Sequence, residues 1–493
     1  MENIQQKGNY TMALVTLTTL FFMWGFITCL NDLVSPYMKE MFQLSHFLAN
    51  LVQFAFFAAY FVISLIYFLI SSLKGDPIQK IGYKNTIVAG LLISAVACFL
   101  FFFEAKSAHP QFHLFLMALF LLGTGFTFLQ IAANPLVSIL GTPETSSSRL
   151  NLSQAFNSLG TTLAPVIGGY FIFKFFVDKN ASDAAANAHA LQVPYLFLAS
   201  VLLVLAGVIF FSDVPSHVGQ QSEATVRGMG ALRHPYLIFG MLGIFCYVGA
   251  EVAIGNNLIS YMKEFHNLDK TLATSYLSFY WGGSMIGRFM GSISMSKMPK
   301  AKKYLLMALA GIATVSLIFY ITNQTDAHIQ FTQVFYFLLF LGLNYLVFIV
   351  AKSVPSRTLG LFAVVNICLI LGMLNSSGSV SLWMILAVGL FNSIMFSNVF
   401  TLAIDGLDEY TAQGSSLLVM MILGGALVPL LHGFIADKLG SKVAFVVPMV
   451  CYAYLLWYGF FGSHIGKKKT VEVKKVEHPE SMVLDDASQT ELE

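Results

Sequence analysis

Charge is scarce in this chain: of 493 residues, 11% are Asp, Glu, Lys or Arg, against 57% that are hydrophobic. That scarcity excludes a soluble globule, because a chain of this length cannot hide so much apolar surface from water. Cysteine is scarce as well. Its five copies (Cys29, Cys98, Cys246, Cys368 and Cys451) fall inside apolar runs at unrelated spacings. They read as small buried residues, which excludes a disulfide framework and a cysteine metal site. The sequence has no HExxH pattern, no Walker loop, and no Ser or Cys nucleophile with a base nearby, so it does not read as an enzyme. No loop exceeds about 30 residues, which leaves no room for a soluble signalling domain. No resident cofactor, metal or nucleic-acid partner is expected. The first apolar run is too long for a cleavable signal peptide and is followed by further runs.

What is present is hydrophobic length. Runs of ~17–25 apolar residues, the length a helix needs to cross a bilayer, number about fourteen between residues 12 and 463. The run at 359–376 is the weakest of them. Helices are the expected spanning element, so the chain reads as an all-α, multi-pass integral membrane protein whose partner is the lipid bilayer. If the runs alternate in direction, Lys74, Lys80, Lys84, Arg149, Arg227, Arg233, Lys297, Lys300, Lys302, Lys303, Lys352, Arg357 and the lysines at 467–469 share one side. The positive-inside rule then places both termini in the cytoplasm. Residues 465–493 are polar and mixed in charge, and a disordered cytoplasmic tail is expected there.

The chain also repeats itself. "SPYMKEMF" (35–42) returns as "ISYMKEFH" (259–266), and Phe21 and Gly25 pair with Phe245 and Gly249 at the same offset of 224. "LGTTLAPVIGGYF" (159–171) returns as "LGGALVPLLHGFI" (423–435), at an offset of 264. The two offsets differ by 40 residues, the length of one helical hairpin at ~20 residues per span. The simplest account is a duplicated six-helix unit: a first bundle over 1–212, a linker over 213–235, and a second bundle over 236–464. An extra hairpin then lies within about 295–380. Which of the runs 303–322, 331–351 and 359–376 is the original third helix stays open. Two parallel six-span halves describe the major facilitator architecture. The loop "GDPIQKIGYK" (75–84) resembles that superfamily's loop through Gly75, Lys80, Gly82 and Lys84, with Gln79 where an Asp is expected. Gly75 and Gly82 are therefore read as structural or gating residues.

Polar residues inside spans need a reason, since a charge at the centre of one costs ~2.5–3.5 kcal/mol on insertion scales. Asp32, preceded by Asn31, lies in the second half of the first run; Thr28 and Gly25 precede it by four and seven residues, on the same helix face. Glu251 lies in the corresponding seventh run, so the two acids are expected to face each other between the halves and respond to a co-transported cation. Gln130 and Asn134 are four apart in span four, and Gln154 and Asn157 are three apart in span five. In the repeat, Gln154 and Asn157 become Leu418 and Met421. Amides needed only for packing would serve both halves equally, so these point to a ligand site, with interhelical hydrogen bonds as the other reading. A carboxamide donates to one hydroxyl and accepts from another, which suits a neutral polyol, with Trp281 and Phe396 available to stack on its apolar face. Arg288 reads as a gate residue that holds acids or helix ends.

Seven stretches, among them "NDLVSPYMKE", "LQIAANPLVSILG", "RLNLSQAFNSLG", "FCYVGAEVAIG", "YWGGSMIGRFMGS" and "GLFNSIMF", resemble the fucose/galactose/glucose–cation symporter family of the major facilitator superfamily. The likeness runs through both halves and fails over about 295–375. It implies cation-coupled import of a hexose or deoxyhexose by alternating access, in a bacterial inner membrane. In the L-fucose–proton branch, acids in spans one and four serve coupling and binding, with a Gln and an Asn of span five near the sugar. Asp32, Gln154 and Asn157 match three of these. Gln130 stands at the span-four acid and Glu251 at a span-seven Gln, as in the glucose/galactose branch, which leaves proton and sodium both open as the coupling ion. A second departure is "FSNVF" (396–400), where the family has a Pro-Thr pair at Ser397 and Asn398. The expected protein is thus a monomeric sugar importer, the alternatives being an exporter of another metabolite or drug and a non-transporting sugar sensor.

Overall fold

The computed structural model describes residues 10–43, 46–107, 109–168, 192–218, 227–323, 329 and 331–467. Among these residues the fold is helical, without strands. The first half holds α1 (Thr11–Met41), α2 (His46–Lys74), the short α3 (Pro77–Ile81), α4 (Tyr83–Lys106), α5 (Phe112–Ile139), α6 (Ser146–Gly168) and α7 (Gln192–Phe211). The second holds α8 (Pro235–His266), α9 (Lys270–Ser294), α10 (Lys300–Thr322), α11 (Phe331–Val350), α12 (Pro355–Asn375), α13 (Gly378–Asn392), α14 (Met395–Ile404), α15 (Thr411–Met420), α16 (Gly424–Leu439) and α17 (Val446–Phe460). Among the described residues eleven segments are long and apolar enough to cross a membrane, with α13–α14 and α15–α16 each forming one crossing. The long but more polar α6 and α9, together with α11, complete about fourteen crossings, as the hydropathy predicts. The weakest run of the sequence is helix α12.

Local chemistry sets many helix ends. Pro77, Pro235 and Pro355 open α3, α8 and α12, where a missing N–H is harmless. Asp269 caps α9 by accepting from Leu272 N at 2.8 Å. Asn267 closes α8 in the left-handed region at φ 52°.

One packing scheme occurs twice. In the first half α1 lies along α6, α2 on α5, and α4 on both α5 and α7. In the second, α8 lies along α16, α9 on α13, and α12 on both α13 and α17. By this pattern α12 occupies the place that α4 holds, while α10 leans on the outside of α9 and α11 on α13. The glycines shared by the repeat mark the tightest crossings. A Cβ on Gly25 would come within 2.1 Å of the Asn157 carbonyl oxygen, and one on Gly160 within 2.2 Å of the Phe22 carbonyl oxygen. In the second half a Cβ on Gly424 would meet the Phe245 carbonyl oxygen at 2.1 Å, and one on Gly249 would meet Val428 at 2.3 Å. Each pair lets two helix backbones touch where any side chain would hold them apart.

The halves meet through α6 against α9 and α2 against α15. At the end that carries the lysines and arginines, side chains knit them together. Ser147 and Thr401 hydroxyls are 2.7 Å apart, Ser148 donates to the Ser292 carbonyl at 2.6 Å, and Asn151 donates to the Asn398 side chain at 3.3 Å. Gln79 reaches the Glu409 carbonyl at 3.0 Å. Gln413 ties α2 to the last part of the linker, donating to Ser72 at 3.3 Å and Gly228 O at 3.0 Å while accepting from Ala231 N at 3.1 Å. An exposed ion pair, Lys297–Glu144 at 3.1 Å, completes the closure.

Candidate functional site

A cavity of about 170 Å³ opens at mid-depth between the halves. That is below the roughly 300–1,000 Å³ of drug-sized ligand sites and on the scale of one small polar molecule. Asn157, Ser158 and Thr161 of α6 form one wall; Glu251 of α8 and Trp281, Ser284 and Arg288 of α9 form the other. With Gln154, the α6 residues fall at i, i+3, i+4 and i+7, the spacing of a single helix face.

Arg288 is the hub. Its Nε donates to the Ser393 carbonyl at 3.0 Å, inside the turn that separates α13 from α14. One terminal nitrogen donates to Ser158 Oγ across the interface between the halves. The other donates to the Tyr247 hydroxyl at 3.3 Å and stands 3.8 Å from Glu251 Oε1, with both side chains nearly buried. A planar guanidinium with five donors can serve this spread of acceptors; a lysine ammonium cannot. Behind Glu251, its backbone carbonyl accepts from Tyr280 at 2.9 Å. The Tyr280 hydroxyl in turn accepts from Asn392 at 3.0 Å, and Asn392 Oδ1 accepts from Tyr452 at 2.7 Å and Asn366 at 3.0 Å. This buried network fixes α13 where it ends beside the site.

Of the amides singled out from sequence, Asn157 lines the cavity, and its side-chain nitrogen donates to the Phe21 carbonyl of α1 at 3.0 Å. Gln154, Asn134 and Gln130 are buried in a chain beside it, Gln154 donating to Asn134 at 3.4 Å and Asn134 to Gln130 at 3.5 Å. They touch one another and are not among the cavity-lining residues. Trp281 lines the cavity and lays its indole over Gly255, whereas Phe396 stacks with Phe400 and sits 6.3 Å from the Tyr247 ring. Asn31 and Asp32 lie on the α1 backbone, and their side chains fall outside the described residues.

Gly75 and Gly82 flank α3 with φ of +90° and +88°, in the region that favours glycine. A Cβ on Gly82 would press on Ser216 at 2.9 Å. Between them Asp76 accepts from the Tyr67 hydroxyl at 2.5 Å and from Ile78 N at 2.9 Å. Burial pushes its carboxyl above the usual carboxylate range, against the pull of these hydrogen bonds.

Ser158, Thr161, Ser284 and Tyr247 were not singled out from sequence. The α6 pair carries a legible signal, since both extend the face begun by Gln154 and Asn157. Ser284 and Tyr247 carry none, being common residues placed by neighbouring helices.

The Major Facilitator Superfamily profile matches residues 13–357. A glucose/galactose transporter of Brucella abortus biovar 1 (strain 9-941) is 40% identical over 467 residues, covering 94% of this chain and 96% of that protein. The L-fucose-proton symporter of Escherichia coli (strain K12) is 28% identical over 480 residues, covering 93% and 94%. Among solved structures, the MFS transporter FucP in the outward conformation superposes with a TM-score of 0.71 at 26% identity, covering 92% of this chain and 99% of that one. Fold, repeat and these likenesses agree: the chain belongs to the major facilitator superfamily.

Proposed function

We propose that this protein imports a neutral hexose or deoxyhexose together with a cation, by alternating access. The observation that carries the reading is the mid-depth cavity, where hydroxyls and an amide of α6 face Glu251, Arg288 and Trp281. Such a lining offers donors and acceptors to a polyol and one aromatic face to its ring. Relatives named as a glucose/galactose transporter and an L-fucose-proton symporter support the same substrate class. The bundles over 1–212 and 236–464, joined by 213–235, are the rocking bodies, and α10–α11 is the inserted hairpin. The closure at the basic end then corresponds to a cavity reached from outside, with both termini cytoplasmic in a bacterial inner membrane and the protein working as a monomer.

In this scheme Asn157 and Asn31 hold hydroxyls with Trp281 against the ring, while Gln154, Asn134, Gln130 and Phe396, which stand beside the cavity, reach the sugar as the halves rock. Asp32 and Glu251 respond to the cation, and Arg288 gates the site by bridging the halves. Proteoliposomes loaded under separate pH and sodium gradients, challenged with a panel of unlabelled sugars, test the reading. Hexose uptake should follow one gradient and be competed by glucose, galactose or fucose. Binding without uptake would make the chain a sensor, and outward pumping of an unrelated solute would make it an exporter; either result defeats the proposal.

A further inference from the structure

We propose that the groove formed by α9, α10 and α11 holds an acyl chain of an anionic phospholipid, whose phosphate is met by the lysines at the basic end of the hairpin. The groove measures about 280 Å³ and is lined by Met290, Met307, Gly311, Leu338, Gly342 and Tyr345 among other apolar residues. Its one notable polar atom is already engaged, since the Tyr345 hydroxyl donates to the Tyr304 carbonyl at 3.2 Å. The walls therefore ask for hydrocarbon and for nothing that hydrogen-bonds. Gly342 leaves open space where a side chain would stand, and a Cβ on Gly311 would already press on Met290 Sδ at 3.2 Å. The two glycines thus shape a slot between the helices instead of letting them close together.

Charge at the mouth identifies the occupant. Lys303 and Met307 are four apart, as are Met307 and Gly311, so the lysine stands on the groove's own face of α10. At 1.5 Å per residue, Met307 and Ile312 lie about 6–14 Å deeper than Lys303, within one leaflet of a ~30 Å hydrocarbon core. Lys300 and Lys302 share the start of α10, Lys352 follows the end of α11, and Arg357 opens α12. None of these five side chains has a hydrogen-bond or ion-pair partner among the described residues, whereas nearby Lys297 is paired with Glu144. An apolar slot that opens beneath unpaired cations complements a lipid with hydrocarbon tails and a negative headgroup. The inserted pair of helices, which leans on the outside of α9 and α13, would then serve as a lipid-binding face.

Native mass spectrometry of the full chain, with dioleoyl phosphatidylglycerol and dioleoyl phosphatidylcholine added in turn, reads this directly. Phosphatidylglycerol should bind about tenfold tighter or more, because each basic residue near the surface adds to anionic-lipid affinity. In Gly342→Phe the new Cβ meets nothing within 4 Å, a helix-interior glycine is replaced, and the ring, occupying the slot, should lower retention of both lipids. The triple change Lys300→Gln, Lys302→Gln, Lys303→Gln should remove the headgroup preference and leave the weaker binding common to both lipids. Equal binding of the two lipids by the parent chain, undiminished retention in Gly342→Phe, or a preference that survives the triple lysine change overturns the proposal. A dimer that persists in the parent and is lost in Gly342→Phe also overturns it, making the groove a contact between copies of this chain.

Discussion

At the scale of the residue, the telling side chain is Arg288, because its donors reach four acceptors on three segments: Ser158 on α6, Tyr247 and Glu251 on α8, and the Ser393 carbonyl in the α13–α14 turn. A lysine keeps the charge but offers a point in place of a fork. Arg288→Lys should therefore retain a folded protein and raise the sugar concentration for half-maximal uptake by on the order of tenfold, measured as counterflow in proteoliposomes; an unchanged value would take Arg288 out of the site. Asp76 supplies a second residue-scale expectation. Its folded carboxyl titrates above the ordinary value of 3.8, so the native state holds a proton that the unfolded chain releases. Stability contributed by this group is thus present at low pH and is lost as pH rises from about that value through the raised one. Asn keeps an acceptor for Tyr67 and Ile78 N without the desolvated charge, so Asp76→Asn should flatten that slope and melt no lower than the parent at neutral pH. Thermal unfolding across a pH series checks it. The sequence singled out Arg288, as a charge inside an apolar run, and passed over Asp76. It could not announce the partners of Arg288, which arrive from helices distant in the chain, whereas those of Asp76, Tyr67 and Ile78, are close neighbours in the sequence.

At the scale of the element, hydrophobic length made the crossings legible, since a ~20-residue apolar run has few other uses. The break between α13 and α14 was not legible. "GLFNSIMF" carries no proline or glycine at the interruption, and the turn is held instead by Arg288 on the Ser393 carbonyl and by the Asn392 network. Hydropathy also could not choose the third helix of the second half, because all three consecutive runs are long and apolar enough to span; the packing of α12 on α13 and α17 distinguishes it. The repeated glycines were visible as identities, and their purpose emerges only at the crossings. Gly160→Ala and Gly424→Ala each place a methyl against a backbone carbonyl at about 2 Å. Each should destabilise the protein by about 1–3 kcal/mol, the usual toll of overpacking. Equal losses of melting temperature are expected, since the two crossings are built alike. Asn157→Ala and Met421→Ala, one turn away on corresponding helices, should differ: only the first should weaken sugar uptake. A matched pair of uptake defects would mean that the amide serves packing alone.

At the scale of the whole molecule, alternating access requires two states close in free energy, so the contacts that close one end must be individually modest. Those at the basic end fit that demand. Ser147–Thr401, Asn151–Asn398 and Gln413 with Ser72 and Gly228 are neutral hydrogen bonds at 2.7–3.3 Å, each worth about 1 kcal/mol net. The ion pair that crosses between the halves there, Lys297–Glu144, is exposed, and such pairs add little in water. By contrast, the crossings within each half are backbone-to-backbone and do not come apart piecemeal. Removing two closing contacts should therefore tip the balance between states without melting either half. In Asn151→Ala combined with Gln413→Ala, the population open at the basic end should grow on the order of tenfold or more. Spin labels at Lys74, on the end of α2, and at Glu409, before α15, would report this as a new long-distance peak in a double electron–electron resonance measurement. Glucose or another transported hexose, by holding α6 against α8 and α9 in one state, should change the ratio of the two peaks. A distance distribution identical to that of the parent chain would mean that the closure lies elsewhere, and that the hydrogen bonds between α6 and α14 are packing and not a gate.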